Sequence, residues 1–229
     1  MSTSLRAFFF DMDGLLIDTE DLHMRAFAET AAALGYAREP REYACWIGHS
    51  SWKVSAWLAE QVKVRTTPDE IMRIEQENFL RILREERPAP LAGSREMFDA
   101  CDALGLPRAL VSSTVYPQVV KTMEVVLGHF GREPDLERHF GAVVTGDRVT
   151  NLKPDPEPYL KAAAGLGVPP ERCIVFEDSP AGVKSARAAG CRVVAIPNEY
   201  LEPGEVVREA HAHFKTLKDA FEAGIWERW

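Results

Sequence analysis

The chain has 229 residues, 46% of them hydrophobic and 27% charged, the make-up of an ordinary globular protein somewhat longer than one domain of ~100–200 residues requires. Lys and Arg number 27 against 35 Asp and Glu, and the resulting charge of -8 argues against nucleic acid or an anionic membrane as a general partner. The apolar run before Asp11 is too short for a signal-peptide core or a membrane span, so a cytoplasmic location is expected.

Ala7 to Phe10 reads as a buried strand whose carboxyl end carries Asp11. Residues 17–88 then break the pattern. Asp18 and Asp21 are candidate caps for a helix with a buried stripe of Leu22, Ala26, Thr30, Ala33 and Leu34, ending at Gly35. Thr67-Pro68-Asp69-Glu70 is a capping box with proline at the first helical position. It opens a helix along Ile71, Ile74, Asn78 and Ile82 that stops before Pro88. With no strand signal in this stretch, 17–88 reads as an inserted all-helical unit.

Beyond it, Ser94 to Gly105 predicts a helix with Met97, Ala100, Cys101 and Leu104 on its buried face. Further apolar runs at 109–111, 142–144, 173–176 and 193–196 predict strands, and Ala181 to Ala189 a small-residue helix closing at Gly190. Alternation of strands with helix-length segments implies a parallel sheet with crossover helices. The fold class is therefore α/β, a Rossmann-like core from 1–16 and 89–229 with a helical insertion at 17–88. Cys45, Cys101, Cys173 and Cys191 are dispersed with no C-x-x-C pair, so they read as reduced, mostly core-filling thiols.

Four short segments carry chemistry. Asp11-Met12-Asp13-Gly14 ends the first strand; a D-x-D pair occurs by chance roughly once in such a chain, and a simple strand-ending turn is the alternative. Placement at the edge where parallel sheets bind ligands raises its value. Glu177-Asp178 ends another apolar run in the same way, although Asp178 or Ser179 could simply cap the next helix. Ser112-Ser113-Thr114 ends a third strand and suits either phosphate oxygens or a helix cap. Lys153 precedes Pro154, which disfavours helix and fixes the loop that bears it.

Together these segments resemble the haloacid dehalogenase superfamily of phosphotransferases, in particular the β-phosphoglucomutase-like phosphatases with a helical cap. The matching stretches are FFDMDGLLIDTE at 9–20, LVSST at 110–114, KPDP at 153–156 and VFEDSPAGVKSA at 175–186. The resemblance implies Asp11 as the nucleophile that carries an aspartyl-phosphate, and Asp13 as the general acid and then base, with its backbone carbonyl on a metal. It implies Ser112, with Ser113 beside it, as phosphate-binding and Lys153 as the neutralising cation. Glu177 and Asp178 complete a Mg²⁺ site with Asp11 and Asp13. Four acids against one lysine would repel a phosphate dianion, so a divalent cation and a protonated Asp13 are needed together. The acid at position 13 argues against halide displacement, which needs no leaving-group proton.

In the resembled family the inserted helices close over the site and contact the leaving group. Here His23, Gly48, His49, Ser51 and Trp52 are the cap residues expected to face the substrate, while Trp46 and Trp52 also read as cap-core aromatics. Mutases of this family carry basic residues around the cap glycine; Ile47 and Ser51 stand there instead, which favours simple hydrolysis. The expected activity is hydrolysis of a small phosphorylated metabolite, a sugar or polyol phosphate, by a chain favoured to be a monomer. The alternatives are a phosphomutase of the β-phosphoglucomutase type and a non-catalytic binding protein on the same fold; retention of Asp11, Asp13, Lys153 and Asp178 argues against the latter. The stretch 128–137 reads as an extra loop, and Asn151-Leu152 departs from the glycine that commonly precedes the motif lysine.

Overall fold

The computed structural model describes residues 5–47, 50–198 and 200–228. In chain order it contains β1 (Ala7–Phe10), α1 (Glu20–Ala33), α2 (Ser51–Gln61), α3 (Pro68–Glu86), α4 (Ser94–Leu104), β2 (Arg108–Val111), α5 (Tyr116–His129), α6 (Leu136–His139), β3 (Ala142–Val144) and α7 (Glu157–Leu166). β4 (Cys173–Glu177), α8 (Pro180–Ala188), β5 (Arg192–Ala195), α9 (Pro203–Val207), β6 (Ala212–His213) and α10 (Leu217–Glu222) follow. The chain divides into two compact units, Met1–Asp18 with Ala89–Trp229, and Thr19–Pro88.

The larger unit is built on a parallel sheet of six strands in the order β3-β2-β1-β4-β5-β6. Both faces are covered, which is why its strands read as continuous apolar runs. Successive side chains alternate between faces. Phe8 and Phe10 lie on one, with the Phe10 ring 5.3 Å from Phe176 and 5.8 Å from Phe98. Phe9 lies on the other, in a cluster with Val111, Tyr159, Val175 and Val193. Each fully buried phenylalanine contributes ~1.5–3 kcal/mol relative to an exposed one. Strand order reverses direction beside β1, and in open parallel sheets the crevice at that switch point, outside the carboxyl ends of the strands, is where ligands bind.

The structure extends and trims the sequence expectations. β6, only two residues long, carries no periodic signal and was not expected. Leu104, predicted to face the core, is 44% exposed because α4 ends there at Gly105. The expected loop at 128–137 is partly helical: α5 continues to His129 and α6 begins at Leu136.

The smaller unit, among its described residues, contains helices and no strand. The Thr67–Glu70 capping box forms as expected, with the Glu70 amide donating to Thr67 Oγ1 and the Thr67 amide to Glu70 Oε2. The start of α1 differs: Thr19 occupies the N-cap but its side chain does not cap the helix, and Asp21 sits in the first turn facing Arg25. Ala33 is exposed at the end of α1, where the chain is already leaving the helix, and the buried stripe is completed by Phe27 and Ala31. No helix is long and apolar enough to cross a membrane, among the described residues.

Candidate active site

Register brings the acids together. Phe10 pairs with Phe176 and with Leu110, so the next residues, Asp11, Glu177 and Val111, lie side by side at the carboxyl edge of the sheet. The Asp11 amide donates to the Phe176 carbonyl at 3.1 Å, and the Ser112 amide to the Val144 carbonyl at 3.0 Å. Asp11, Ser112, Glu177 and Asp178 are all buried, at 7%, 4%, 0% and 3% exposure.

Lys153 enters this edge from the loop after β3, its side chain 5% exposed. Its Nζ donates to Asp11 Oδ1 and Glu177 Oε1 at 2.6 Å each and to the Val111 carbonyl at 2.9 Å. The cation is thus anchored to β1, β2 and β4 at once. Burial lowers the affinity of the lysine for its proton, but Asp11 and Glu177 outweigh this and push its pKa above the ordinary value. The Asp11 carboxyl is held well above the usual range, first by burial and then by Glu177 and Asp13, with Lys153 opposing them.

Glu177 is saturated. Its Oε1 also accepts from the Tyr159 hydroxyl at 2.5 Å, and its Oε2 accepts from the Asp178 amide at 3.2 Å and from the amide and hydroxyl of Ser179 at 3.3 and 3.1 Å. Room for the carboxylate depends on Gly182, where a Cβ would lie 1.9 Å from it. Ser179 also caps α8, accepting from the Gly182 amide at 3.1 Å, so the capping and site-building readings of this segment both hold.

Asp13, two residues on from Asp11, contacts the end of β2. Its Oδ2 accepts from Thr114 Oγ1 at 2.8 Å and Ser112 Oγ at 3.2 Å, and Ser112 Oγ in turn accepts from the Thr114 amide at 3.0 Å. Ser113 is exposed, and the second hydroxyl on Asp13 belongs to Thr114. Gly14 adopts φ 73°, and a Cβ there would come within 2.2 Å of Asp178 Oδ2, so both backbone and space require glycine.

Asp11, Glu177 and Asp178 offer carboxylate oxygens that lie within 4.8 Å of one another. Among the described residues three buried acids face one buried lysine, and burial, reinforced by Glu177 and Asp13, raises the Asp11 pKa. A set of hard oxygen donors with that surplus fits a divalent metal ion.

A family model for haloacid dehalogenase-like hydrolases matches residues 5–190, which span every segment of this cluster. The chain is a haloacid dehalogenase-like hydrolase. Its enzyme class is that of the phosphoric monoester hydrolases. The hydrolase is 32% identical to Protein CbbY of Rhodobacter capsulatus over 86% of this chain and 87% of that one. It is 31% identical to a phosphorylated carbohydrates phosphatase of Thermotoga maritima over 91% and 92% of the two chains. Among solved structures it superposes on a mutant of CbbY from Rhodobacter sphaeroides in complex with xylulose-1,5-bisphosphate. There the TM-score is 0.84 and the identity 28%, over 94% of this chain and 96% of that one.

In the hydrolase's helical unit, His23 Nδ1 lies 2.8 Å from Glu75 Oε1 and its ring stacks on Phe79 at 4.2 Å. Trp46 packs against Trp57 with ring centroids 5.2 Å apart, whereas Trp52, expected in the cap core, is 55% exposed because the first turn of α2 turns it outward. Ser51 is the first residue of α2, and Gly48 and His49 lie outside the described residues. Of the cysteines, Cys101, Cys173 and Cys191 are buried and Cys45 is exposed.

Thr114, Tyr159, Glu75 and Asn198 were not singled out by the sequence. Thr114 stands inside the hydroxyl-rich motif and was accessible to it. Tyr159 and Asn198 act across the sheet edge, and nothing local marks them.

Proposed function

We propose that this hydrolase is a Mg²⁺-dependent phosphatase that releases phosphate from a small phosphorylated sugar or polyol through a phosphoaspartyl intermediate on Asp11. The observation that carries the reading is the meeting of Asp11, Lys153, Glu177 and Asp178 in one buried cluster beside Ser112 and Asp13. The phosphatase named for phosphorylated carbohydrates and the bisphosphate-bound CbbY support the substrate class.

Asp11 would attack phosphorus in line with the departing ester oxygen. Ser112 and the adjoining Ser113 segment would hold the phosphoryl oxygens, and Lys153 would offset charge on them and on Asp11. Asp13 would give its proton to the leaving oxygen. It would then take one from the water that attacks the phosphoaspartate, so that inorganic phosphate leaves and Asp11 is restored. In the structure the Ser112 hydroxyl is turned to Asp13 Oδ2. An arriving phosphoryl oxygen would compete for that hydroxyl and loosen one of the bonds holding Asp13, while the bond from Thr114 Oγ1 stays in place. Asp11, Asp178 and the Asp13 carbonyl would hold the ion, with Glu177 at its border because its oxygens already serve Lys153, Tyr159 and the start of α8. Bound Mg²⁺ supplies charge compensation for the phosphate and the carboxylates.

The test is phosphate release from a panel of sugar and polyol phosphates with MgCl₂. Release that EDTA removes and Asp11→Asn abolishes is expected. If no panel member nor p-nitrophenyl phosphate is hydrolysed, or Asp11→Asn hydrolyses as fast as wild type, the reading is wrong.

A further inference from the structure

Beyond β5 the chain does not leave the sheet edge at once. The Ile196 amide donates to the Glu177 carbonyl at 2.7 Å, so the residues after β5 run alongside the end of β4. Two positions later, Asn198 Nδ2 donates to Asp178 Oδ2 at 2.7 Å. At the other end of the same amide, Asn198 Oδ1 accepts from the Tyr200 amide at 3.0 Å. A backbone N–H can only be met by an acceptor, so the Tyr200 amide decides which way the carboxamide faces and turns its NH₂ toward the carboxylate. On the far side is Gly14: a Cβ there would stand 2.2 Å from Asp178 Oδ2 and 3.0 Å from Asn198 Nδ2. Asp178 Oδ2 is therefore held between a bare backbone and an oriented donor.

We propose that Asn198 is a positioning residue of the metal site, fixing the plane of the Asp178 carboxylate through Oδ2. This rests on the reading of Asp11 and Asp178 as metal ligands. A carboxylate that must meet an ion loses affinity when it can rotate, and an outer partner that stops the rotation raises affinity without touching the ion. The chemistry of the partner matters. A lysine or arginine at position 198 would orient Asp178 equally well, but its charge would cancel part of the surplus that attracts a divalent cation. A carboxamide donates one strong hydrogen bond and leaves that surplus intact. Among the described residues Lys153 supplies a cation on the Asp11 and Glu177 side, and Asn198 supplies a neutral donor to Asp178.

The experiment is calorimetric titration of MgCl₂ into the full-length wild type, Asn198→Leu and Asn198→Ala, with the unfolding midpoint and near-UV spectrum of each recorded in EDTA. The expected result is an affinity for Mg²⁺ lowered by about 10–100-fold in both variants, with near-UV spectra retained and metal-free midpoints lowered by no more than the loss of one hydrogen bond to a carboxylate accounts for. The turnover number of each should recover toward that of wild type at saturating MgCl₂. Variants that bind Mg²⁺ as tightly as wild type would overturn the proposal. So would variants whose metal-free midpoint and spectrum collapse along with affinity, since Asn198 would then serve the fold. A wild type that takes up no Mg²⁺ would strike the reading of the metal site itself, an outcome separate from equal binding by all three proteins.

Discussion

The ammonium of Lys153 lies 2.6 Å from Oδ1 of Asp11 although 142 positions separate them in the chain. Both side chains are buried, and each compensates a charge that burial would otherwise expel. Lys153→Met keeps the length of the stem and removes the charge. It leaves Asp11 and Glu177 facing each other without a counter-ion, so a loss of about 3–5 kcal/mol in metal-free stability is expected. Turnover should fall by about 10²–10³-fold, the usual cost of removing one preorganised charge from a phosphoryl site. Denaturant unfolding in EDTA and steady-state kinetics with MgCl₂ check the two numbers separately.

Tyr159 reaches the same cluster from beneath. Its ring stacks on Phe9 with centroids 6.4 Å apart, and its hydroxyl donates to Glu177 Oε1, the atom that also receives Lys153. Burial, reinforced by Glu177 and Asp11, pushes the phenol pKa well above its usual value, so Tyr159 remains a donor throughout the working range. Tyr159→Phe should keep the ring packing and cost about 1.5–3 kcal/mol, the range for a hydrogen bond to a charged partner. The check is urea unfolding of the two proteins; a variant as stable as wild type would show that Lys153 and the donors at the start of α8 suffice to hold Glu177.

Much of this arrangement was legible in the sequence, for identifiable reasons. Strand-end acids announce themselves because an apolar run of four or five residues stops at them, as Phe10-Asp11 and Phe176-Glu177 do. The start of α3 was readable because proline and a reciprocal Thr67–Glu70 pair leave few other local structures available. Position 75 was harder. Ile71, Glu75 and Phe79 follow one another at four-residue spacing on one buried face, but an acid at such a position reads as a solvent-facing side chain until its partner His23, 52 residues away, is in place. Asn198 and Tyr159 were hidden for the same reason, since their partners are set by sheet order and register. The exposure of Trp52 and Leu104 shows the converse limit: hydrophobicity names candidates for the core, while the position of a helix end decides which of them enter it.

Glu157 links acid stability to the loop that delivers Lys153. Its carboxylate binds Lys161 at 2.7 Å and accepts from the amides of Thr150 and Asn151 at 2.8 Å each, pinning the segment just before the lysine. Lys161, then the two backbone donors, lower its pKa from the ordinary 4.5 to about 2. A depressed carboxylate stabilises the fold fully above its unfolded pKa and loses that contribution as pH falls through the folded value. The stability gap between wild type and Glu157→Gln should thus be constant above pH 4.5 and close as pH falls toward about 2. Near neutral pH the variant should also lose catalytic efficiency, up to about 10²-fold, as Lys153 is less well placed. Urea unfolding across this pH series, with kcat/KM near neutrality, tests both; a gap that persists unchanged at pH 2 would show that the anion is not what holds the loop.

In the helical unit, Glu75 is fully buried, with Oε1 on His23 and Oε2 without a hydrogen-bond partner among the described residues. An acid in that setting is costly to keep and costly to disturb singly. Glu75→Leu removes a hydrogen-bond partner of the half-buried His23 ring and should destabilise by about 1–3 kcal/mol. Adding His23→Leu removes the other member of the pair, and apolar replacement of both members of a polar pair is often neutral or stabilising, so most of the loss should return. Coupling between the two sites is read from a double-mutant cycle in urea. The same proteins separate packing from chemistry. A double variant restored in stability and in kcat/KM would make the pair a device of the cap's fold alone. Restored stability with kcat/KM still depressed would mark His23 as a residue the reaction uses.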